Sequence, residues 1–144
     1  VPEVKTIVRE AVVSASPTTT LTELAELMDD ENVGSIVIVE DGQPRGIVTD
    51  RDITVQAVAR GADPTTATAA DVMSDDPVTV EMDSGIFDVI RVMTDSNVRR
   101  IPATDEDGQL AGIVTFDDFV VLLGREFKLL GELVEAEIPP YEHT

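Results

Sequence analysis

Two stretches of this chain read almost alike: Gly46-Ile47-Val48-Thr49-Asp50-Arg51-Asp52 and Gly112-Ile113-Val114-Thr115-Phe116-Asp117-Asp118. In each, a short apolar run of β character follows a glycine and stops at a threonine. An aspartate three residues later opens an apolar stretch with helical spacing. The threonine stands where a helix N-cap belongs. Its hydroxyl can accept a hydrogen bond from a free N–H of the first turn, and a carboxylate three positions on lies favourably at the positive end of the helix dipole. One such copy is ordinary capping; two copies with matched surroundings are a repeat.

The surroundings do match. A shift of 65 residues carries Leu21, Leu24, Ala25 and Met28 onto Ile86, Val89, Ile90 and Met93, both sets spaced as one face of a helix. The same shift carries Val33 onto Val98 and Ile36 onto Ile101. The turn Glu106-Asp107-Gly108 has one residue more than Asp41-Gly42, so the shift becomes 66, and Gly46, Thr49, Asp52 and Val55 fall on Gly112, Thr115, Asp118 and Val121. The unit is an extended lead-in, a helix, a strand, an Asp/Gly turn, a strand and a second helix, present twice.

Two units of this order, each closing with glycine, two hydrophobic residues, threonine and an aspartate three further on, resemble a pair of cystathionine β-synthase (CBS) domains, the arrangement called a Bateman module. Val98-Arg99-Arg100-Ile101-Pro102, ahead of the second strand pair, strengthens the likeness, which covers residues 4–128. The resemblance implies an α/β fold of tandem βαββα repeats with pseudo-twofold symmetry. Residues 4–64 would form the first CBS domain, 65–128 the second, and 129–144 a C-terminal helical extension and tail. It further implies a regulatory module, not an enzyme, that senses an adenosyl ligand (AMP, ADP, ATP or S-adenosylmethionine) in clefts between the repeats. That molecule would be a regulatory ligand, with no other cofactor, and the module would be a homodimer acting on another, unnamed protein.

The resemblance also assigns site residues. The motif aspartate would accept hydrogen bonds from the two ribose hydroxyls while the threonine approaches phosphate or ribose: Asp52 and Thr49 in one site, Asp118 and Thr115 in the other. A carboxylate suits vicinal hydroxyls because it accepts two bonds at once, and a hydroxyl at a helix start shares an anion with backbone N–H groups. Ile47 and Ile113 would line the adenine slots, closed by the lead-in of the opposite repeat, through Val78 for the Asp52 site and Val13 for the Asp118 site. Arg99-Arg100 would face ligand phosphates, and is the only adjacent basic pair in a chain of 10 basic and 29 acidic residues. The matching positions in the first repeat are Gly34 and Ser35. The arginine pair is therefore expected to favour Asp118, with phosphates at Asp52 depending on Arg51 or on the pair reaching across from the other repeat.

Composition narrows the alternatives. A net charge of −19 with two lysines, Lys5 and Lys128, argues against nucleic acid and against an anionic membrane, since both need basic patches. No cysteine is present, so disulfides and thiolate chemistry are excluded. The single histidine, His143, lies in the tail, which leaves no Ser-His-Asp or Cys-His arrangement and no His/Cys metal cluster. The glycine pattern of a P-loop is absent. Apolar runs such as Phe119–Leu123 are too short for a bilayer and no signal peptide is evident, so the expectation is a soluble cytoplasmic protein. Two rival readings remain: a dimerisation or interaction module with vestigial ligand sites, and a nucleotide hydrolase.

A repeat of about 60 residues is marginal alone, so both halves are expected to share one body. The expected elements are an extended lead-in over 4–13, a helix over 21–31 capped by Thr20 with Glu23, and strands 35–39 and 46–48 around Asp41-Gly42. A helix over 50–60 and a loop over 65–70 follow. The second unit is expected to have an extended 76–80, a helix over 85–95 capped by Asp83-Ser84, strands 101–104 and 110–114, and a helix from about Phe116 that Pro139-Pro140 stop. Phe127, Leu130 and Val134 form an apolar stripe with two open readings, packing back on the module or meeting a partner subunit.

The acidity itself predicts halophilic behaviour. Lowering ionic strength lengthens the screening distance from about 3 Å at 1 M to about 10 Å at 0.1 M, so self-repulsion grows. The melting temperature is expected to rise with added salt; a melting temperature unchanged from low to molar salt contradicts adaptation to a salty cytoplasm.

Overall fold

Thr20 begins the first helix as its spacing predicts: its side chain accepts from the Glu23 N–H at 3.2 Å, and helix α1 (Leu21–Glu31) ends on Asn32 in the left-handed conformation. The computed structural model describes residues 3–75 and 77–137. Before α1 lie a 3-10 turn (Val4–Thr6) and strand β1 (Ser14–Ala15), so the lead-in is not extended throughout. After it come β2 (Ser35–Glu40) and β3 (Gln43–Thr49), joined by Asp41 and Gly42, both with positive φ, as a two-residue type I′ hairpin turn requires. Helix α2 (Asp50–Thr54) continues as a π-helical turn over Val55–Ala59.

The connector expected to be loop over 65–70 gives way at its last two residues to helix α3 (Ala69–Val72), followed by β4 (Ser74–Asp75). Asp71 supplies the reason, its carboxylate accepting from the Thr68 N–H at 2.9 Å and hydroxyl at 3.2 Å across the first turn. The second unit has β5 (Val80–Glu81), α4 (Ile86–Ser96), β6 (Arg100–Thr104), β7 (Leu110–Thr115) and α5 (Phe116–Glu137). Helix α4 takes Gly85 as its N-cap without a side-chain bond, so Asp83-Ser84 do not cap it. Asp76, Pro139, Pro140 and His143 lie outside the described residues.

The strands form two sheets. One has the order β1-β2-β3-β4, with β1 parallel to β2 and the other pairs antiparallel; the second has the order β5-β6-β7, with β5 parallel to β6. The side-chain alternation of a strand explains the motif. Val48 and Val114 are fully buried, while Ile47, Thr49, Ile113 and Thr115 alternate with them and are only half-buried. Each repeat has its own core. Leu21, Leu24, Met28, Ile36, Ile38 and Val48 build the first; Ile86, Val89, Met93, Ile101, Val114 and Phe119 build the second.

The lead-ins cross between the repeats. Val4 is fully buried in the second core, with its N–H donating to the Ser84 carbonyl at 2.8 Å, and Arg9 pairs antiparallel with Ile113 through two backbone bonds of 3.0 Å. Reciprocally, Ala69 is buried in the first core, its N–H donating to the Thr19 carbonyl at 2.8 Å, and β4 pairs with β3 at Gly46 and Ile47. The motif glycines make this possible. A Cβ on Gly46 would stand 2.7 Å from the Ser74 carbonyl oxygen and one on Gly112 2.9 Å from that of Arg9, distances real Cβ atoms do not tolerate.

The apolar stripe of α5 does not pack back on the module. Every described side chain from Leu123 to Ala136 is exposed, with Phe127 at 69%. Among the described residues, no helix is long and apolar enough to cross a membrane.

Candidate ligand clefts between the repeats

Two clefts flank the motif strands. One, of about 300 Å³, is lined by Ile47, Thr49, Ser74, Pro77, Val78, Val98, Arg99 and Arg100. The other, of about 240 Å³, has Arg9, Val13, Gly34, Ser35, Arg100, Ile113, Thr115 and Asp117 in its wall. The first is at the lower limit of the roughly 300–1,000 Å³ typical of ligand pockets and the second falls below it. Val78 faces Ile47 and Thr49 in the first, and Val13 faces Ile113 and Thr115 in the second, the combinations expected from the sequence. Arg51 is exposed on the first turn of α2 and is not in the wall of the Thr49 cleft.

Of the two ways in which the Asp52 site could gain positive charge, Arg51 or the arginine pair of the other repeat, the structure has the second: Arg99 and Arg100 both border the cleft of Thr49. Arg100 also borders the Thr115 cleft, and both arginines line a depression of about 210 Å³ with Thr115, Phe116 and Asp117. The cause is the facing of the two repeats: the start of β6 borders the first repeat's motif, and Gly34-Ser35 at the start of β2 border the second's. Phe116 orients Arg99, whose guanidinium carbon lies 5.0 Å from the ring centroid.

Neither motif aspartate is among the wall residues; each sits one hydrogen bond behind its threonine. Asp52 Oδ2 accepts from the Thr49 N–H at 2.8 Å, and the Thr49 hydroxyl accepts from the Asp52 N–H at 3.2 Å, a reciprocal capping box. Asp52 Oδ1 accepts no hydrogen bond from the described residues. Asp118 differs. Its Oδ2 accepts from the Thr115 N–H at 3.1 Å and hydroxyl at 2.9 Å, and its Oδ1 is held by Arg9, with Nε and Nη2 each at 2.9 Å.

Arg9, Ser74 and Asp117 are therefore site neighbours that motif reading missed. The repeat shift held the signal, since 65 residues carry Arg9 onto Ser74 as they carry Val13 onto Val78, and 66 carry Arg51 onto Asp117. Walls differ in charge accordingly. The Thr49 cleft has two arginines and no acid in its wall; in the Thr115 cleft Asp117 stands against Arg9 and Arg100. Among the described residues, no group of three or more His, Asp or Glu side chains is placed to hold a metal ion.

A family model for the CBS domain matches residues 4–57 and 69–125. The chain belongs to the CBS domain family. It is 39% identical over 115 residues to the uncharacterized protein MK0525 of Methanopyrus kandleri, which covers 79% of this chain but 59% of that relative's length. It is 36% identical over 118 residues to the CBS domain-containing protein YhcV of Bacillus subtilis, 82% of this chain and 83% of that one. Among solved structures, the CBS domain pair of protein MJ0100, in complex with 5′-methylthioadenosine and S-adenosyl-L-methionine, superposes with a TM-score of 0.76 at 26% identity, covering 88% of this chain and 98% of that chain. The tandem α/β architecture of this CBS pair is thus a family property.

Proposed function

We propose that this CBS pair is a regulatory module that takes an adenosine-containing ligand between its repeats, with the Asp52 cleft as the primary site. One observation carries the reading: a carboxylate with one oxygen committed to Thr49 and the other open stands behind a cleft whose wall combines Ile47 and Val78 with Arg99 and Arg100. The apolar residues suit an adenine ring, the open Oδ1 suits a ribose hydroxyl, and two guanidinium groups suit phosphates. That charge favours AMP, ADP or ATP over the cationic S-adenosylmethionine in this cleft. The MJ0100 pair, bound to two adenosyl compounds, supports the ligand class. Regulation would follow from unequal ligand affinity for two arrangements of the module or of its unidentified protein partner.

Calorimetric titration with adenosine, AMP and ATP in high salt tests the reading. Asp52→Asn keeps an oxygen for the Thr49 N–H and is expected to weaken all three ligands. Replacing Arg99 and Arg100 together with Ala is expected to weaken AMP and ATP by about ten-fold or more while sparing adenosine, because charge-assisted hydrogen bonds contribute about 1.5–3 kcal/mol against about 1 for neutral ones. Equal losses for adenosine and ATP contradict the phosphate role. A wild type that binds none of the three contradicts ligand sensing and leaves the interaction-module reading.

The same module is proposed to be a homodimer through α5. Phe116, Val120, Leu123, Phe127, Leu130 and Val134 are all exposed and spaced alternately by four and three, the seam of a coiled coil. Such a seam is complementary to itself, and Gly124 and Gly131 leave open space beside it. Light scattering is expected to give a dimer mass for the wild type and a monomer mass for Leu130→Glu. A monomeric wild type in high salt contradicts the dimer.

A further inference from the structure

The two clefts are pseudo-symmetric in backbone but not in the residue that the crossing lead-in delivers. β4 delivers Ser74 beside Ile47, and the first lead-in delivers Arg9 beside Ile113, each by antiparallel backbone pairing. Serine is short, lines the Thr49 cleft and makes no bond to Asp52, whose Oδ1 stays open. Arginine reaches Asp118 and places two N–H donors on the oxygen that Thr115 leaves free.

From this asymmetry we infer that Arg9 is a built-in competitor for the Asp118 carboxylate, which makes the two ligand sites of this CBS pair unequal. The inference rests on the adenosyl-ligand reading above and adds its order of occupancy: the Asp52 cleft fills first, and the Asp118 cleft accepts a ribose only when Arg9 is displaced. The contact is well placed for this. The Asp118 side chain is 11% exposed, so little water competes for it, while that of Arg9 is 65% exposed and free to swing into solvent. The backbone of Arg9 remains tied to Ile113, so a displaced guanidinium stays near the cleft and returns when the ligand leaves. Asp117 in the same wall further disfavours phosphates there.

Arg9→Ser gives the first lead-in the residue its counterpart carries. Calorimetry with AMP and with adenosine is expected to show one equivalent bound tightly per wild-type chain, weakened in Asp52→Asn. The second site of Arg9→Ser is expected to gain about ten-fold or more in affinity, the scale of a charge-assisted bond no longer broken on binding. Adding Asp118→Asn to Arg9→Ser removes that gain, and Arg9→Lys, which keeps the charge without the second donor, lies between. Wild type binding two equivalents equally, or Arg9→Ser matching wild type at both sites, overturns the competition while leaving the ligand reading intact. Failure of every variant to bind AMP or adenosine overturns both.

Discussion

The close approach of each lead-in to the opposite repeat is the contact on which the rest of this structure depends. It requires a position without a side chain on each motif strand, and Gly46 and Gly112 supply it: the carbonyls of Ser74 and Arg9 occupy space that a Cβ would need. Once the lead-ins cross, each core borrows a residue from the other half, Val4 in one direction and Ala69 in the other. A repeat of this size buries too little surface to be secure alone, and the exchange turns two marginal cores into one structure. The clefts are consequences of the same crossing, since the segments that leave each lead-in, at Val13 and Val78, become cleft walls.

Charge then differentiates what the fold makes alike. In a chain of net charge −19, three of the ten basic residues, Arg9, Arg99 and Arg100, border the clefts. Arg99 is held over Phe116, which stands where the first repeat has Asp50, so one cleft gains an oriented cation by a substitution in the opposite repeat's motif. Arg9 does the reverse for the other cleft by engaging its carboxylate. The two clefts, alike in backbone, therefore differ in the charge of their walls.

Much of this is legible in the sequence. The capping threonines and the aliphatic faces of α1 and α4 follow from short-range periodicity: Leu21, Leu24 and Met28 are buried and the Thr49–Asp52 box is closed, whereas Ala25, on the same expected face, is exposed. The motif glycines stand out in the sequence, but not the reason they are glycines, because the atoms they make room for, at Ser74 and Arg9, are distant in sequence. Which cleft Arg99-Arg100 border is open in the sequence for the same reason: the pair stands beside Thr115 in its own repeat and also reaches the cleft of Thr49 in the other. Helix α3 is not legible in the sequence, because four residues carry too little periodicity to detect, and its first two, Ala69 and Ala70, fall in the expected loop.

Native-state hydrogen exchange of the two strand pairs measures the crossing directly, because local and global openings separate by their free energies. With the lead-ins interlocked, the amides of β2–β3 and of β6–β7 are expected to exchange through one opening of the same free energy, with the amide of Ile113, which donates to Arg9, among them. If one pair exchanges through a separate opening of clearly lower free energy while the other remains protected, the repeats are independent and the account of shared cores and shared clefts is wrong.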